Sequence, residues 1–223
     1  MPKSGISLTP SDMAQYIDHT ILRPDATPAD VSVICDEAVK HKFKAVCVNP
    51  IFIPQIVDHL AGTGVAVCSV INFPFGATST AMKEAEAKWV VAQGADEVDM
   101  VIPVGLLKSG QFDAVRNDIA AVKAACGDVL LKVILETALL STDEKVTACS
   151  LSKEAGADFV KTSTGFAGSG ATVADVMLMR KTVGDTMGVK ASGGVRTTED
   201  ALRMIEAGAS RIGASASISI IGQ

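Results

Sequence analysis

Aromatic side chains are scarce in this chain, at 4% of its 223 residues, although 48% of the residues are hydrophobic. Alanine, valine and glycine make up much of the apolar content, and side chains this small favour helices packed closely on a sheet. No run of 18 consecutive apolar residues occurs, so no membrane-spanning helix is expected. Because the composition shows no break, one domain over residues 1–223 is predicted.

Cysteine is also sparse and follows no disulfide or zinc-binding pattern. The five cysteines are widely spaced, odd in number and form no CxxC motif. They are Cys35, Cys47, Cys68, Cys126 and Cys149. This usage predicts reduced thiols in a cytoplasmic protein and no zinc site. The first residues, MPKSGISLTPSD, are polar and lack the apolar centre of a signal peptide.

Basic patches and dinucleotide-binding fingerprints are missing as well. The net charge is −5, with lysines and acids interspersed, which argues against nucleic acid as a partner. No GxGxxG follows the first β-type run, so a dinucleotide-binding fold loses its main support. A metal-dependent reaction would need clustered ligands, whereas the three histidines are scattered. A small phosphorylated substrate stays possible, because two or three hydrogen-bond donors suffice to bind it.

A recurring pattern does organise the chain: a helical segment, a glycine, and then a β-type run. Six segments show it, at 61–71, 92–102, 125–135, 154–163, 183–192 and 206–215. The run AVCV at 45–48 and the stretch 16–20 bring the number of predicted strands to eight. Alternating β and α units imply a parallel sheet, and eight of them in one short chain predict an α/β fold of the (β/α)8 barrel type. Between the strands, the segment 80–93 predicts a helix with Met82, Ala85, Trp89 and Val90 on its apolar face.

The strongest candidate for chemistry is a lysine in the run FVKTSTG at 159–165. Lys161 follows two apolar residues, so an apolar setting that disfavours the charged ammonium is expected. A neutral lysine is a good amine nucleophile, and burial and a second nearby cation are the usual means of lowering a lysine pKa. Lys190, in GVKASGGVR, is predicted to be that second cation. The structural alternative for Lys161 is an ion pair with a carboxylate at the end of the barrel.

Alternation along the strands places further charged residues on the inner face of the predicted barrel. In EVDMVI, Glu97 and Asp99 share one face, and in a barrel the polar face points into the lumen. Asp99 is predicted to neutralise the lysines, to move protons at a carbinolamine, or both. Lys132 and Glu136 are interpreted as a supporting charge pair.

Glycine- and serine-rich turns after the late strands suggest a phosphate site. They lie at 164–165, 192–194 and 213–217. Backbone N–H groups in such turns bind phosphate, and barrels often place that site after strands seven and eight. The alternative is tight turns that bind no ligand.

Eight blocks along nearly the whole chain resemble the deoxyribose-phosphate aldolase family. They are IDHTILRPDAT at 17–27, AVCVNP at 45–50, INFPFG at 71–76, GADEVDMVIP at 94–103, LKVILET at 131–137, GADFVKTSTGF at 156–166, VKASGGVRT at 189–197 and RIGAS at 211–215. The resemblance implies a (β/α)8 class I aldolase that needs no metal or organic cofactor. The implied reaction reversibly cleaves 2-deoxyribose 5-phosphate into glyceraldehyde 3-phosphate and acetaldehyde.

The resemblance also implies roles for particular residues. Lys161 would form the Schiff base, Lys190 would lower its pKa, and Asp99 would help to move protons. The implied substrate-binding residues are Asp18, Thr20, Cys47, Thr164, Gly165, Gly193, Gly194 and Ser215, the three glycines and Ser215 near the phosphate. The implied partners are small phosphosugars and aldehydes, and a homodimer is possible. Two departures stand out: Ala216 replaces a serine found in many relatives, and the tail tyrosine of some members is absent.

Three rival functions follow from the same residues. Another Schiff-base aldolase or transaldolase would act on a different phosphosugar. A catalytically silent phosphosugar-binding barrel would have no need of a neutral lysine. A metal-dependent aldolase is rejected for want of clustered ligands.

Overall fold

Eight parallel strands close into a barrel in sequential order in this computed structural model, which describes residues 6–223. The strands are β1 Ile17–Ile21, β2 Ala45–Val48, β3 Ala66–Ile71, β4 Glu97–Val101, β5 Leu130–Ile134, β6 Phe159–Lys161, β7 Gly188–Ser192 and β8 Arg211–Ala214. The predicted (β/α)8 barrel is therefore confirmed, with each strand near its predicted position.

Helices connect consecutive strands and cover the outside of the barrel. They are α1 Pro10–Ala14, α2 Pro28–His41, α3 Ile53–Leu60, α4 Thr80–Ala92, α5 Val104–Lys108, α6 Phe112–Cys126, α7 Thr142–Glu154, α8 Val173–Val183, α9 Thr198–Glu206 and α10 Ser217–Ile220. Short 3-10 turns lie at Pro50–Phe52 and Thr137–Leu139. Within residues 6–223 no helix has both the length and the apolar character needed to cross a membrane.

The strand register decides which side chains meet inside the barrel. Asp99 on β4 pairs with Lys132 on β5, and Lys161 on β6 pairs with Lys190 on β7. Paired residues of neighbouring strands point to the same face, so these four side chains share the lumen.

The buried apolar residues form two clusters of different size, one outside the barrel strands and one inside the lumen. The large one lies between the barrel and its helices and takes in most of the buried aliphatic residues. The small one lies inside the lumen and comprises Ala45, Cys47, Cys68 and Val70, from β2 and β3. This small cluster thus lies on the β2–β3 side of the lumen, and the charged residues of the lumen come from β1 and β4–β8.

The predicted apolar face of α4 is wrong in three of its four members, since Met82, Ala85 and Trp89 are exposed. Met82 and Trp89 are 62% and 44% exposed, while Lys83 is fully buried. The Lys83 Nζ lies 2.7 Å from Asp118 Oδ2 on α6 and also donates to the carbonyl of Val101. The ion pair partly offsets the cost of burying an ammonium, and the helix turns a lysine inward where the pattern suggested an apolar residue.

Candidate active site

A cavity of about 480 Å³ opens at the carboxyl end of the barrel strands. It is lined by seven of the residues predicted for the site: Thr20, Lys161, Thr164, Gly165, Gly193, Gly194 and Ser215. These residues come from the ends of β1, β6, β7 and β8 and from the turns that follow. This end of a parallel barrel is where catalytic residues collect, because loop residues of several strands converge there.

Lys161 reaches the cavity from below and is 3% exposed. Its Nζ donates to Asp99 Oδ2 at 2.7 Å, and the Nζ of Lys190 donates to the same oxygen at 2.8 Å. One carboxylate oxygen therefore holds the two amines beside each other. The two lysines and the aspartate therefore lie in direct contact, as the sequence predicted.

The second oxygen of Asp99 connects to the lower part of the lumen. Lys132 Nζ lies 2.9 Å from Asp99 Oδ1 and 2.5 Å from Glu97 Oε2. Arg211 continues the network, with Nη2 2.8 Å from Glu97 Oε1 and Nη1 2.5 Å from Asp18 Oδ1. Asp18 Oδ2 in turn lies 2.5 Å from Lys190 Nζ, which closes the network into a ring.

The network holds more positive than negative groups. Four cations belong to it, Lys132, Lys161, Lys190 and Arg211, against three carboxylates, Asp18, Glu97 and Asp99. All seven side chains are buried. An excess of cations in a buried network is unfavourable, because the charges are poorly screened by solvent.

The pKa directions identify which members keep their charge. Burial alone would raise the pKa of Asp99, but the three lysines hold it well below its usual value. Burial likewise opposes the ionised form of Asp18, whose pKa Lys190, Lys132 and Arg211 lower to about 2. For Lys190 the balance is reversed: burial lowers its pKa, while Asp18 and Asp99 raise it above the usual range. Lys190 therefore remains a cation beside Lys161.

Two predicted substrate-binding residues lie beneath the cavity instead of lining it. Asp18 and Cys47 are fully buried, and Asp18 contacts Lys190 directly. The side chain of Cys47 belongs to the apolar cluster of the lumen.

The predicted charge pair of Lys132 with Glu136 is wrong. Lys132 pairs with Glu97 and Asp99, whereas the Glu136 side chain accepts from the backbone N–H and the hydroxyl of Thr164. Glu136 has a φ of +57°, in the left-handed region, so the regular alternation of β5 has ended before this residue. Its carboxylate thereby supports the loop after β6.

With this geometry established, comparison with known proteins gives the family. A profile of the DeoC/LacD family of aldolases matches residues 12–222. The deoxyribose-phosphate aldolase of Rhodospirillum rubrum is 68% identical over 97% of this chain and 91% of its own. That of Brevibacillus brevis is 60% identical over 94% and 95%. The chain belongs to the DeoC/LacD aldolase family.

A solved structure agrees with this placement. The deoxyribose phosphate aldolase of Aeropyrum pernix, described as a unique tetramer, superimposes with a TM-score of 0.89 at 36% identity. The match covers 96% of this chain and 91% of that one. Membership makes the chain an enzyme, a carbon–carbon lyase of the aldolase class. The homodimer predicted from the sequence stays a prediction.

Several residues around the cavity of this aldolase were not assigned from the sequence. Arg23, Phe166 and Arg196 line it, as does Ser192, which the sequence placed only within a turn suggested for phosphate. Arg196 could have been found from its position just after the Gly193–Gly194 turn, whereas Arg23 carries no local signal beyond following β1. Among the described residues that line the cavity, three are basic and none is acidic.

Two cysteine sulfur atoms lie close to the charged network and, together with Asp99, are grouped closely enough to contact one metal ion. Cys47, Cys68 and Asp99 place ligand atoms within 4.8 Å of one another, the one such group found among residues 6–223. Asp99 already accepts from three ammonium groups, and Lys132 Nζ lies 3.5 Å from Cys68 Sγ. A lysine thus fills the position a cation would take, and these residues do not form a favourable metal site.

Proposed function

We propose that this aldolase reversibly cleaves 2-deoxy-D-ribose 5-phosphate into D-glyceraldehyde 3-phosphate and acetaldehyde through a Schiff base on Lys161. One observation carries the proposal: Lys161 faces the cavity while sharing Asp99 Oδ2 with a second lysine, Lys190, whose pKa is raised by Asp18 and Asp99. The names of the two curated relatives supply the sugar phosphate.

The excess of cations supports a neutral Lys161 amine. Lys132 lies within 4.0 Å of three carboxylates and Lys190 contacts two, whereas Lys161 contacts Asp99 alone. The four cations exceed the three carboxylates by one, and Lys161 is the member with the fewest anionic contacts and with access to the cavity. A lysine amine attacks a carbonyl only in its neutral form.

The lining of the cavity supports an anionic substrate. Besides the Lys161 amine, its basic side chains are Arg196 and Arg23, the latter paired with Asp25 and Asp30, although the protein as a whole carries a net charge of −5. Gly193 and Gly194 have φ values of +85° and +79°, a left-handed turn that exposes backbone N–H groups after β7. Such a turn beside basic side chains fits a phosphate.

In the proposed reaction, the Lys161 nitrogen adds to the C1 aldehyde, and loss of water gives an iminium ion. The C3 hydroxyl then loses its proton while the electrons of the C2–C3 bond move toward the iminium nitrogen. Glyceraldehyde 3-phosphate leaves and an enamine of acetaldehyde remains. Protonation at C2 and addition of water release acetaldehyde and restore the amine. Asp99 lies against the amine at 2.7 Å, where it can pass protons in these steps.

Tyrosine takes no part in this scheme. The single tyrosine, Tyr16, directly precedes β1 and thus lies at the amino end of the strands, opposite the cavity. We infer that the enamine receives its proton from the Asp99–lysine network or from water. A role in deoxyribonucleotide breakdown, which the family resemblance implies, and the cytoplasmic location expected from the cysteines belong to the same proposal.

Product analysis tests the proposal. The enzyme is incubated with deoxyribose 5-phosphate and EDTA, and acetaldehyde and glyceraldehyde 3-phosphate are quantified. Equal amounts of both products are expected. Condensation with dihydroxyacetone or pyruvate, but not acetaldehyde, would instead establish a different Schiff-base aldolase. Binding of the sugar phosphate without turnover would establish a silent binding barrel.

A further inference from the structure

Ser192 is a buried residue with an unused hydroxyl group beside the cavity. Three buried hydroxyls of the described chain have no hydrogen-bond partner, those of Thr137, Ser163 and Ser192. Of these, only Ser192 lines the cavity, and its residue is 5% exposed. A buried hydroxyl without a partner is unfavourable, so a ligand that completes the hydrogen bond is favoured there.

The backbone around Ser192 is held rigidly, although its side chain is not. The backbone N–H of Ser192 donates to Thr162 Oγ1 at 3.0 Å, and the Thr162 hydroxyl in turn donates to the backbone carbonyl of Ser192 at 3.0 Å. The N–H of Ala171 also donates to this carbonyl, at 3.1 Å. The backbone position of Ser192 is therefore fixed, while its hydroxyl, which has no partner, is free to rotate about the Cα–Cβ bond toward a ligand.

The neighbouring strand leaves space for this hydroxyl. A Cβ atom at Gly213 on β8 would lie 2.3 Å from Ser192 Oγ and 3.0 Å from Lys190 Cε. Any side chain at Gly213 would therefore displace both groups. The glycine keeps a space between β7 and β8 in which Ser192 and Lys190 lie one above the other.

The order of groups along β7 matches the order of groups in the proposed substrate. Lys190 lies beside the reacting amine, Ser192 follows about 6.6 Å further along the strand, and the Gly193–Gly194 turn comes next. In open-chain deoxyribose 5-phosphate, C1 reacts with the amine, C5 carries the phosphate, and hydroxyls on C3 and C4 lie between. The C3 oxygen must face the proton-transfer groups, which leaves the C4 hydroxyl, next to the phosphate-bearing carbon, for Ser192.

We propose that Ser192 binds the C4 hydroxyl of the sugar phosphate and thereby selects acceptor aldehydes that carry a hydroxyl next to the carbonyl. The inference rests on the proposed function and adds the residue that hydrogen-bonds the C4 hydroxyl of the substrate. A serine hydroxyl both donates and accepts, so it pairs with a substrate hydroxyl in either sense. A site that hydrogen-bonds a substrate hydroxyl discriminates against the analogue that lacks it.

The test compares two acceptors in condensation with acetaldehyde. D-Glyceraldehyde 3-phosphate carries the hydroxyl, and 3-oxopropyl phosphate has the same chain length without it. In Ser192→Ala, kcat/KM for glyceraldehyde 3-phosphate is expected to fall about tenfold, and that for 3-oxopropyl phosphate to change less than about twofold. The result is expressed as the ratio of the two kcat/KM values measured with the same variant. A lower fraction of folded enzyme reduces both values equally and leaves this ratio unchanged.

Ser163→Ala is the matched control. Ser163 also has a fully buried hydroxyl without a partner, but it does not line the cavity. Its acceptor ratio should equal that of the wild type. Equal losses for both acceptors in Ser192→Ala would overturn the inference while leaving the aldolase intact. If the wild type condensed neither acceptor, the proposed function would fail, and the inference with it.

Discussion

Two sets of buried lysines in this barrel differ in ways that separate structure from chemistry. Between helices α4 and α6, Lys83 and Asp118 form a single pair at 2.7 Å, with equal numbers of cations and anions. Inside the lumen, four cations share three carboxylates, and one of them, Lys161, faces a cavity. A buried lysine–carboxylate pair is thus not in itself a sign of function. The signs here are the unequal number of charges and the access to a cavity.

Substituting one lysine from each set should separate the two roles most strongly. Lys161→Met is expected to lower kcat by at least about four orders of magnitude, because the nucleophile is gone. Its stability should change little, because Asp99 keeps two other lysines. Lys83→Met leaves Asp118 buried without its ammonium and should lower the free energy of unfolding by about 3–5 kcal/mol. Its kcat per folded molecule should remain unchanged.

Steady-state kinetics and urea unfolding of both variants check this prediction. Loss of catalysis in Lys83→Met, or its retention in Lys161→Met, would contradict the assignment of a structural role to Lys83 and a catalytic role to Lys161.

Removing the second lumen lysine should alter the pH dependence of catalysis. Lys190 stays charged beside the Lys161 amine, because Asp18 and Asp99 raise its pKa. A neighbouring cation favours the neutral form of an amine, and Lys190→Met removes that cation. We expect kcat/KM to fall about a hundredfold at neutral pH and to recover as pH rises toward about 10.

The control for this variant is again Lys83→Met, whose pH–rate profile should match the wild type. A uniform loss at every pH in Lys190→Met would show that Lys190 acts through position alone.

The smallest expected effect is a decrease in the free energy of unfolding at acid pH, caused by protonation of the lumen carboxylate Asp18. The pKa of Asp18 is lowered from 3.8 to about 2 in the folded protein. The unfolded chain therefore binds a proton on Asp18 first, so this residue contributes about 2 kcal/mol above pH 4 that is lost as pH falls toward 2. Urea unfolding across this pH range should show a shallower decline for Asp18→Asn than for the wild type.

The exposed carboxylate of Asp25 offers a control for the acid experiment. Its side chain is 79% exposed, so Asp25→Asn should leave the decline almost unchanged. Parallel curves for the wild type and Asp18→Asn would contradict the assigned role of the lumen carboxylates.

Much of this arrangement was predictable from the sequence, for a physical reason. Alternation along a strand fixes which residues share a face, so Asp99, Lys161 and Lys190 could be placed together once eight parallel strands were recognised. Glycines after helical segments marked where those strands begin.

Other contacts depend on distant partners and could not be read locally. The inward turn of Lys83 depends on Asp118, which lies 35 residues further along the chain. Glu136 leaves the lumen because its backbone adopts a left-handed conformation, which a non-glycine residue rarely does. Arg211 joins the network through Glu97, 114 residues away, and no short-range pattern links the two.

Trapping of the covalent intermediate tests the central claim most directly. The enzyme is mixed with acetaldehyde, reduced with borohydride and digested, and the peptides are mapped by mass spectrometry, with Lys161→Met as the control. A reduced ethyl adduct on Lys161 is expected, and none in the control. An adduct on Lys190 would show that the two lysines have exchanged roles. Bound deoxyribose 5-phosphate with no modified lysine would contradict the Schiff-base account.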